Sequence, residues 1–287
     1  MRRRIAGVVA LVALAAFLMG THAVGNVIRM GFGEAASAGL IGSITAVNKF
    51  GRNQDSDTSE DSIWDGSDLG GPIRCFDVIG TTAAALYLSS DDENDAAKDV
   101  TIQYLDANWD AQEVIVTLGA ASAGGTLFVQ IGSETIMRIN RMFATDTALV
   151  GNIYAGTDDV DDGTDGIPDT ILTELVAAIS IGENQTLQAC YTVPNGFVAL
   201  LSEFCTANLN VAANATATFR IRAAVEGTVA RTKELLETEE GVFQCTQHNP
   251  PIPFEEKTDI ELTATMSANN AKASGTFDII LIPASMR

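Results

Sequence analysis

The chain has 287 residues, of which 46% are hydrophobic and 19% charged, a composition typical of folded domains rather than of disordered chains. The length is sufficient for two domains, each large enough to bury a core. Acidic residues outnumber basic residues by 37 to 17, and the formal net charge is −20. Because a surface this acidic repels phosphate backbones, we do not expect direct binding of nucleic acid.

Residues 1–29 form a hydrophobic leader. Arginines at positions 2–4 precede an apolar run at residues 5–19, and Ala23 stands at a possible cleavage point. This order is typical of a secretion signal, and the run is short for a membrane span. Two alternatives remain open: Met30 is the natural start, or the leader is a helix buried in an assembly. Contact with a membrane is expected only through residues 5–19.

Residues 30–70 are predicted to form an extended N-terminal arm. The arm contains a polar, acidic stretch, residues 47–66, whose aromatic side chains are Phe50 and Trp64. An EF-type calcium loop does not fit this stretch, because Thr58 and Trp64 stand where such a loop needs a glycine and a glutamate. We interpret the two aromatic residues as anchors that hold the arm on a neighbouring molecule. The alternative is that both pack on the first domain of their own subunit.

Strand patterns dominate the rest of the chain. Apolar and polar residues alternate at 216–223 (TATFRIRA), at 260–266 and at 277–281. Each alternation predicts a strand that places one face on a core and the other in water, as in antiparallel sheets.

Turn-forming residues separate these strands. Residues 106–108 (DAN) and 193–196 (VPNG) are each predicted to close a β-hairpin. Many short strands with such turns are typical of sandwiches and jelly rolls. We therefore predict an all-β chain in which the arm precedes two antiparallel, jelly-roll-like β-sandwiches, at residues 71–156 and 173–287.

An acidic connector, residues 157–172, separates the two predicted sandwiches. Its aspartates offer hard oxygen ligands at near-alternate spacing, and glycines between them allow a tight turn. The candidate Ca²⁺ ligands are Asp159, Asp161, Asp165 and Asp169. The alternative is a solvated acidic linker, and no cofactor other than this calcium ion is expected.

Residues that carry catalytic or transition-metal chemistry are scarce. The cysteines are Cys75, Cys190, Cys205 and Cys245. They show no CxxC spacing, and we interpret them as buried free thiols. Only Cys245 and His248 are close enough in sequence to begin a zinc site. His248 is the one histidine outside the leader, and no nucleophile elbow or phosphate-binding loop accompanies it. The sequence therefore predicts that the protein is not an enzyme.

A series of short motifs runs in a fixed order from about residue 44 to residue 283. They are residues 47–53 (VNKFGRN), 57–58 (DT), 63–66 (IWDG), 89–91 (SSD), 100–107 (VTIQYLDA), 114–119 (VIVTLG), 138–141 (RINR), 184–187 (NQTL), 191–194 (YTVP), 241–244 (GVFQ), 256–261 (EKTDIE) and 277–278 (FD). In these motifs the chain resembles a family of bacteriophage virion structural proteins common in marine phages.

The resemblance implies a non-enzymatic component of a phage particle, located in the virion and associated with the capsid as a decoration, cement or coat protein, or with the tail. It implies assembly with other copies of the chain and with other virion proteins. The alternative is an exported cell-surface or adhesion protein, Ca²⁺-dependent through the connector, in the periplasm or at the cell surface if residues 1–23 act as a signal peptide. A secreted hydrolase is a weaker third hypothesis.

Overall fold

The computed structural model describes residues 35–36, 38–72, 74–122, 124–157, 165–209 and 215–286. Residues 47–287 form one compact unit. The leader and its expected membrane contact at residues 5–19 lie outside the described residues. Within the described ranges, no helix has the length and apolar character needed to span a bilayer.

Nearly all regular structure is antiparallel β-sheet, which confirms the predicted all-β class. The strands are β1 (Thr45–Ser56), β2 (Asp61–Ser62), β3 (Tyr87–Ser90), β4 (Asp99–Asp106), β5 (Ala111–Thr117), β6 (Val129–Gln130), β7 (Ile136–Ala144), β8 (Ile153–Gly156), β9 (Leu175–Ile179), β10 (Cys190–Thr192), β11 (Phe197–Asn208), β12 (Thr216–Val225), β13 (Arg231–Glu239), β14 (Phe243–Phe254), β15 (Thr258–Met266) and β16 (Ala271–Pro283). Within the described ranges, helical conformation occurs at residues 35–36, in α1 (Ile171–Glu174) and in 3₁₀ turns at Ser67–Leu69, Glu93–Asp95 and Ala284–Met286.

One sandwich is built from the N-terminal and C-terminal strands of the unit. Its sheets have the strand orders β1–β16–β11–β14 and β10–β15–β12–β13, with β2 added beside β15. Phe219 and Ile221 of β12 are fully buried, as the alternation in that strand predicts. They share an apolar core with Phe204 and Phe277 of the facing sheet. We call this the second sandwich.

The first sandwich lies between these parts in sequence. Its sheets have the orders β6–β3–β8–β9 and β5–β4–β7. Leu88 on β3 and Ile102 on β4 belong to one apolar core that both sheets enclose. Strand β4 pairs with β5 along its length, so the hairpin predicted at residues 106–108 is confirmed.

Three segments differ from the sequence-based expectations. Strands β1 and β2, within the predicted arm, are strands of the second sandwich and pair with β16 and β15. Strand β9, predicted in the second sandwich, pairs with β8 of the first. The turn at residues 193–196 closes no hairpin, because β10 pairs with β15 while β11 lies in the facing sheet. Alternation specifies which face of a strand is buried, but it does not specify the neighbour with which the strand pairs.

Candidate functional site

Trp64 is buried inside its own subunit. Its exposed fraction is 0%, and its indole N–H donates to the carbonyl of Pro72 at 3.1 Å. Gly66 is in direct contact with the ring, since a Cβ atom there would lie 2.2 Å from it. Trp64 therefore holds the 47–66 stretch on the subunit itself, which differs from the expectation that it anchors an arm on a neighbouring molecule.

Phe50 lies on β1 and remains partly accessible, with 37% of its surface exposed. It lines a cleft of about 250 Å³ together with Lys49, Arg141 and Thr186. Contact between Phe50 and a neighbouring molecule stays a prediction.

A third apolar cluster joins the two sandwiches. It contains Tyr154 and Leu175 from the first sandwich, Cys190 from the second, and Trp64 and Cys75 from the segment between β2 and β3. Cys75 and Cys190 form a disulfide that spans 115 residues of sequence. A cross-link that closes so long a loop restricts the unfolded chain strongly and so favours the folded state.

A second disulfide links Cys205 to Cys245, which are opposite each other on β11 and β14. With the Cys75–Cys190 bond, it leaves no free cysteine among the described residues, and the interpretation as free thiols is wrong. The sequence signal that supports disulfides is an even number of cysteines behind a leader typical of exported proteins. Pairing partners do not follow from that signal, because four cysteines allow three connectivities.

The structure does not assemble a zinc site at Cys245 and His248. Cys245 is in a disulfide, and the His248 ring stacks on Phe204 with 6.1 Å between centroids. Among the described residues, the one cluster with metal-ligand spacing is Glu203, Cys205 and Cys245, and two of its members form that disulfide.

The calcium prediction for the connector is only partly within the described residues. Asp159 and Asp161 lie outside them. Asp165 is exposed, and its carboxylate accepts a hydrogen bond from the backbone N–H of Ile167 at 3.1 Å, while Asp169 is also exposed. The four aspartates as a Ca²⁺ site stay a prediction.

Arg138 connects the sandwiches by a largely buried ion pair. Its guanidinium on β7 donates to both carboxylate oxygens of Asp259 on β15, at 3.0 and 2.8 Å. It also lies over the rings of Phe76 and Trp109, at 5.4 and 5.3 Å from their centroids. The Thr192 hydroxyl donates to the same carboxylate at 2.6 Å. Arg138 and Asp259 are thus held in one geometry by partners on several elements.

Asn140, two residues after Arg138 on β7, forms a second polar link between the sandwiches. Its side-chain amide exchanges two hydrogen bonds with the backbone of Thr192: its oxygen accepts at 2.9 Å and its nitrogen donates at 3.2 Å. The Asn140 backbone carbonyl accepts a hydrogen bond from the amine of Lys49 on β1. The RINR motif at residues 138–141 therefore supplies several polar contacts of the junction.

Two ionisable groups of this region are buried without an opposite charge. Burial, reinforced by the nearby charge of Arg141, lowers the pKa of Lys49 to about 7. Burial raises the pKa of Asp65 to about 7, although a hydrogen bond of 3.2 Å from the Ser180 N–H opposes that rise. Neither group belongs to an ion pair within the described part of the chain. The sequence offered no signal for either group, because the partners come from distant strands.

No family model matches the chain, and no curated protein matches it. Among solved structures, similarity is found to a chain of the naturally occurring empty particles of cowpea mosaic virus, with 6% identity over 69% of this chain and 82% of that chain and a TM-score of 0.21. A chain of the infectious bursal disease virus Gx strain shows 9% identity over 85% and 73%, with a TM-score of 0.24. The CBM22 tandem domain of Paenibacillus barcinonensis Xyn10C shows 8% identity over 84% and 94%, with a TM-score of 0.22. Virus particle proteins are among these weak neighbours, and TM-scores this low carry no argument about function.

Proposed function

We propose that the protein is a non-enzymatic structural component of a phage particle, a capsid-associated decoration, cement or coat protein. The observation that supports this proposal best is the construction of the junction between the sandwiches. A largely buried bidentate ion pair, an amide–backbone link, a disulfide and a shared apolar cluster join them. Such a junction makes two sandwiches into one stiff block, which suits a part that transmits load within a lattice.

The acidic composition and the motif resemblance support the same role. A net charge of −20 keeps free subunits soluble and disfavours unspecific association. The polar side chains of the junction form their hydrogen bonds inside the subunit, as a structural role requires; they are Arg138, Asp259 and Asn140.

Detection of the chain in purified particles tests this proposal. We expect mass spectrometry of gradient-purified phage particles to identify the protein at a constant ratio to the major coat protein. A matched sample of lysate proteins that sediment away from the particles is the control. Absence from the particles, with presence in the lysate, would refute a virion role.

The disulfides favour a second candidate, an exported cell-surface or adhesion protein. Disulfides form and persist mainly in oxidising compartments, and the leader is typical of an exported chain. N-terminal sequencing of the natural protein separates the candidates, because removal of residues 1–23 supports export. A melting temperature that is equal in EDTA and in millimolar Ca²⁺ would remove the calcium-dependent form of this candidate.

A further inference from the structure

The side of the second sandwich formed by β13 and β14 carries two neighbouring sheet edges. In the described part of the chain, β13 pairs with β12 alone and β14 pairs with β11 alone. An outer strand directs alternate N–H and C=O groups away from its sheet, which makes it a template for pairing with another strand. The two strands follow each other directly in sequence, so both edges lie on one side of the sandwich.

The charges of β13 are separated along the strand. Arg231 and Lys233 lie in its first half, and Glu237 and Glu239 lie in its second half; the remaining charged residue, Glu234, is partly buried, and its carboxylate lies 4.0 Å from His248 and accepts a hydrogen bond from the Leu235 N–H at 3.3 Å. All four side chains are exposed, and Leu235, which lies between the two pairs, is 46% exposed. In an antiparallel pairing of this strand with itself, centred on Leu235, residue 231 is opposite residue 239 and residue 233 is opposite residue 237.

We propose that β13 is a self-association edge, which pairs antiparallel with β13 of a second copy across a two-fold axis near Leu235. Each basic pair then faces the acidic pair of the other copy, and the two Leu235 side chains meet at the axis. For a chain with a net charge of −20, most contacts between copies place like charges together, so a self-complementary strand selects this contact from the others.

A β-bulge shapes the basic half of the strand. Lys233 is the extra residue between the ladder pairs Ile221↔Glu234 and Arg222↔Thr232. The bulge bends that end of β13, so we expect regular pairing near Leu235 and side-chain contacts at the ends. Arginine and lysine side chains are long enough to reach diagonal positions as well as opposite ones.

Exposed apolar side chains flank β13 at both ends. Val229, before the strand, is 83% exposed, and Phe243, after it, is 68% exposed. The two-fold axis brings the turn before β13 of one copy beside the turn after β13 of the other. A cleft of about 190 Å³ at the first turn, lined by Val225, Val229 and Phe254, would receive Phe243 of the second copy.

The neighbouring strand β14 is less suited to pair by backbone hydrogen bonds. Its second half contains Pro250, Pro251 and Pro253, which have no N–H to donate. We therefore assign the strand pairing to β13 and the apolar contact to the ends of the edge.

The inference rests on the proposed role of the protein as an assembling particle component, and charge-reversal variants of the full chain test it. Sedimentation velocity of the wild type over a concentration series is expected to show a monomer–dimer equilibrium that weakens with added salt. The variant R231E/K233E and the variant E237K/E239K are each expected to raise the dimer dissociation constant at least tenfold. An equimolar mixture of the two variants is expected to restore dimers, because both halves of the mixed interface again combine opposite charges.

The control variant is E113K, which reverses one exposed charge on β5 at the edge of the first sandwich and should leave the dimer unchanged. Melting temperatures equal to that of the wild type would show that the variants fold. A wild type that remains monomeric at the highest concentration, or variants that fail to re-form dimers on mixing, would overturn the inference. Failure of the proposed function is separate: a dimer that is absent from purified particles refutes the virion role and leaves the β13 pairing intact.

Discussion

The buried amine of Lys49 predicts a dependence of stability on pH that can be traced to one residue. In the unfolded chain its pKa is the usual 10.5, and in the folded protein burial lowers it to about 7. Between these values the unfolded state binds a proton that the folded state does not bind. Raising the pH through this window therefore favours folding, and below pH 7 the contribution of Lys49 changes little.

The size of this change in folding stability follows from the difference between the two pKa values of Lys49. A shift of about 3.5 pH units at about 1.4 kcal/mol per unit corresponds to about 5 kcal/mol across the whole window. Between pH 7 and pH 9.5, where unfolding is easily measured, about 3 kcal/mol of this change is expected. Lys49→Met keeps the length of the side chain and removes the titrating amine, so the variant should lack this rise and gain stability at neutral pH relative to the wild type.

Urea unfolding of the wild type and of Lys49→Met at several pH values between 6 and 9.5 measures the effect. The difference in the free energy of unfolding between the two proteins should change by about 3 kcal/mol between pH 7 and 9.5 and by less than about 0.5 kcal/mol between pH 6 and 7. Tyrosine titration is common to both proteins and cancels in the difference. Parallel pH profiles of the two proteins would refute the reasoning, because they would mean that the amine is charged in the folded state up to its usual pKa.

Two further predictions concern the junction. Trp64→Ala should lower the free energy of unfolding by about 3–5 kcal/mol, because it removes a fully buried ring. Trp64→Phe keeps an aromatic ring and loses only the hydrogen bond to Pro72, so it should lower the free energy of unfolding by less. Equal losses for the two variants in urea unfolding would show that ring packing is unimportant at this position. Arg138→Met and Asp259→Asn should each lower the free energy of unfolding by about 3 kcal/mol or more, because each leaves the partner charge or polar group unpaired. The double variant should lose much less than the sum of the two single losses. Additive losses in urea unfolding would contradict a direct ion pair.

The sequence alone determined the all-β class and, where alternation is regular, which face of a strand is buried. In β12 the alternation around Phe219 and Ile221 is a local property, since successive side chains of a strand point to opposite sides. The hairpin between β4 and β5 is equally local, because its turn and both strands lie within about 20 residues. The acidic composition and the motif order also came from the sequence, and they led to the class of function proposed here.

Only the tertiary structure decided which strands become neighbours and which residues meet at the junction. Cys75 reaches Cys190 across 115 residues, and Arg138 on β7 reaches Asp259 on β15. Trp64 looked like an anchor for a partner because its neighbours in sequence are polar, yet its neighbours in space are apolar. The physical reason is that period-2 patterning encodes burial through local geometry, whereas strand order, disulfide pairing and open edges depend on contacts between residues far apart in the chain.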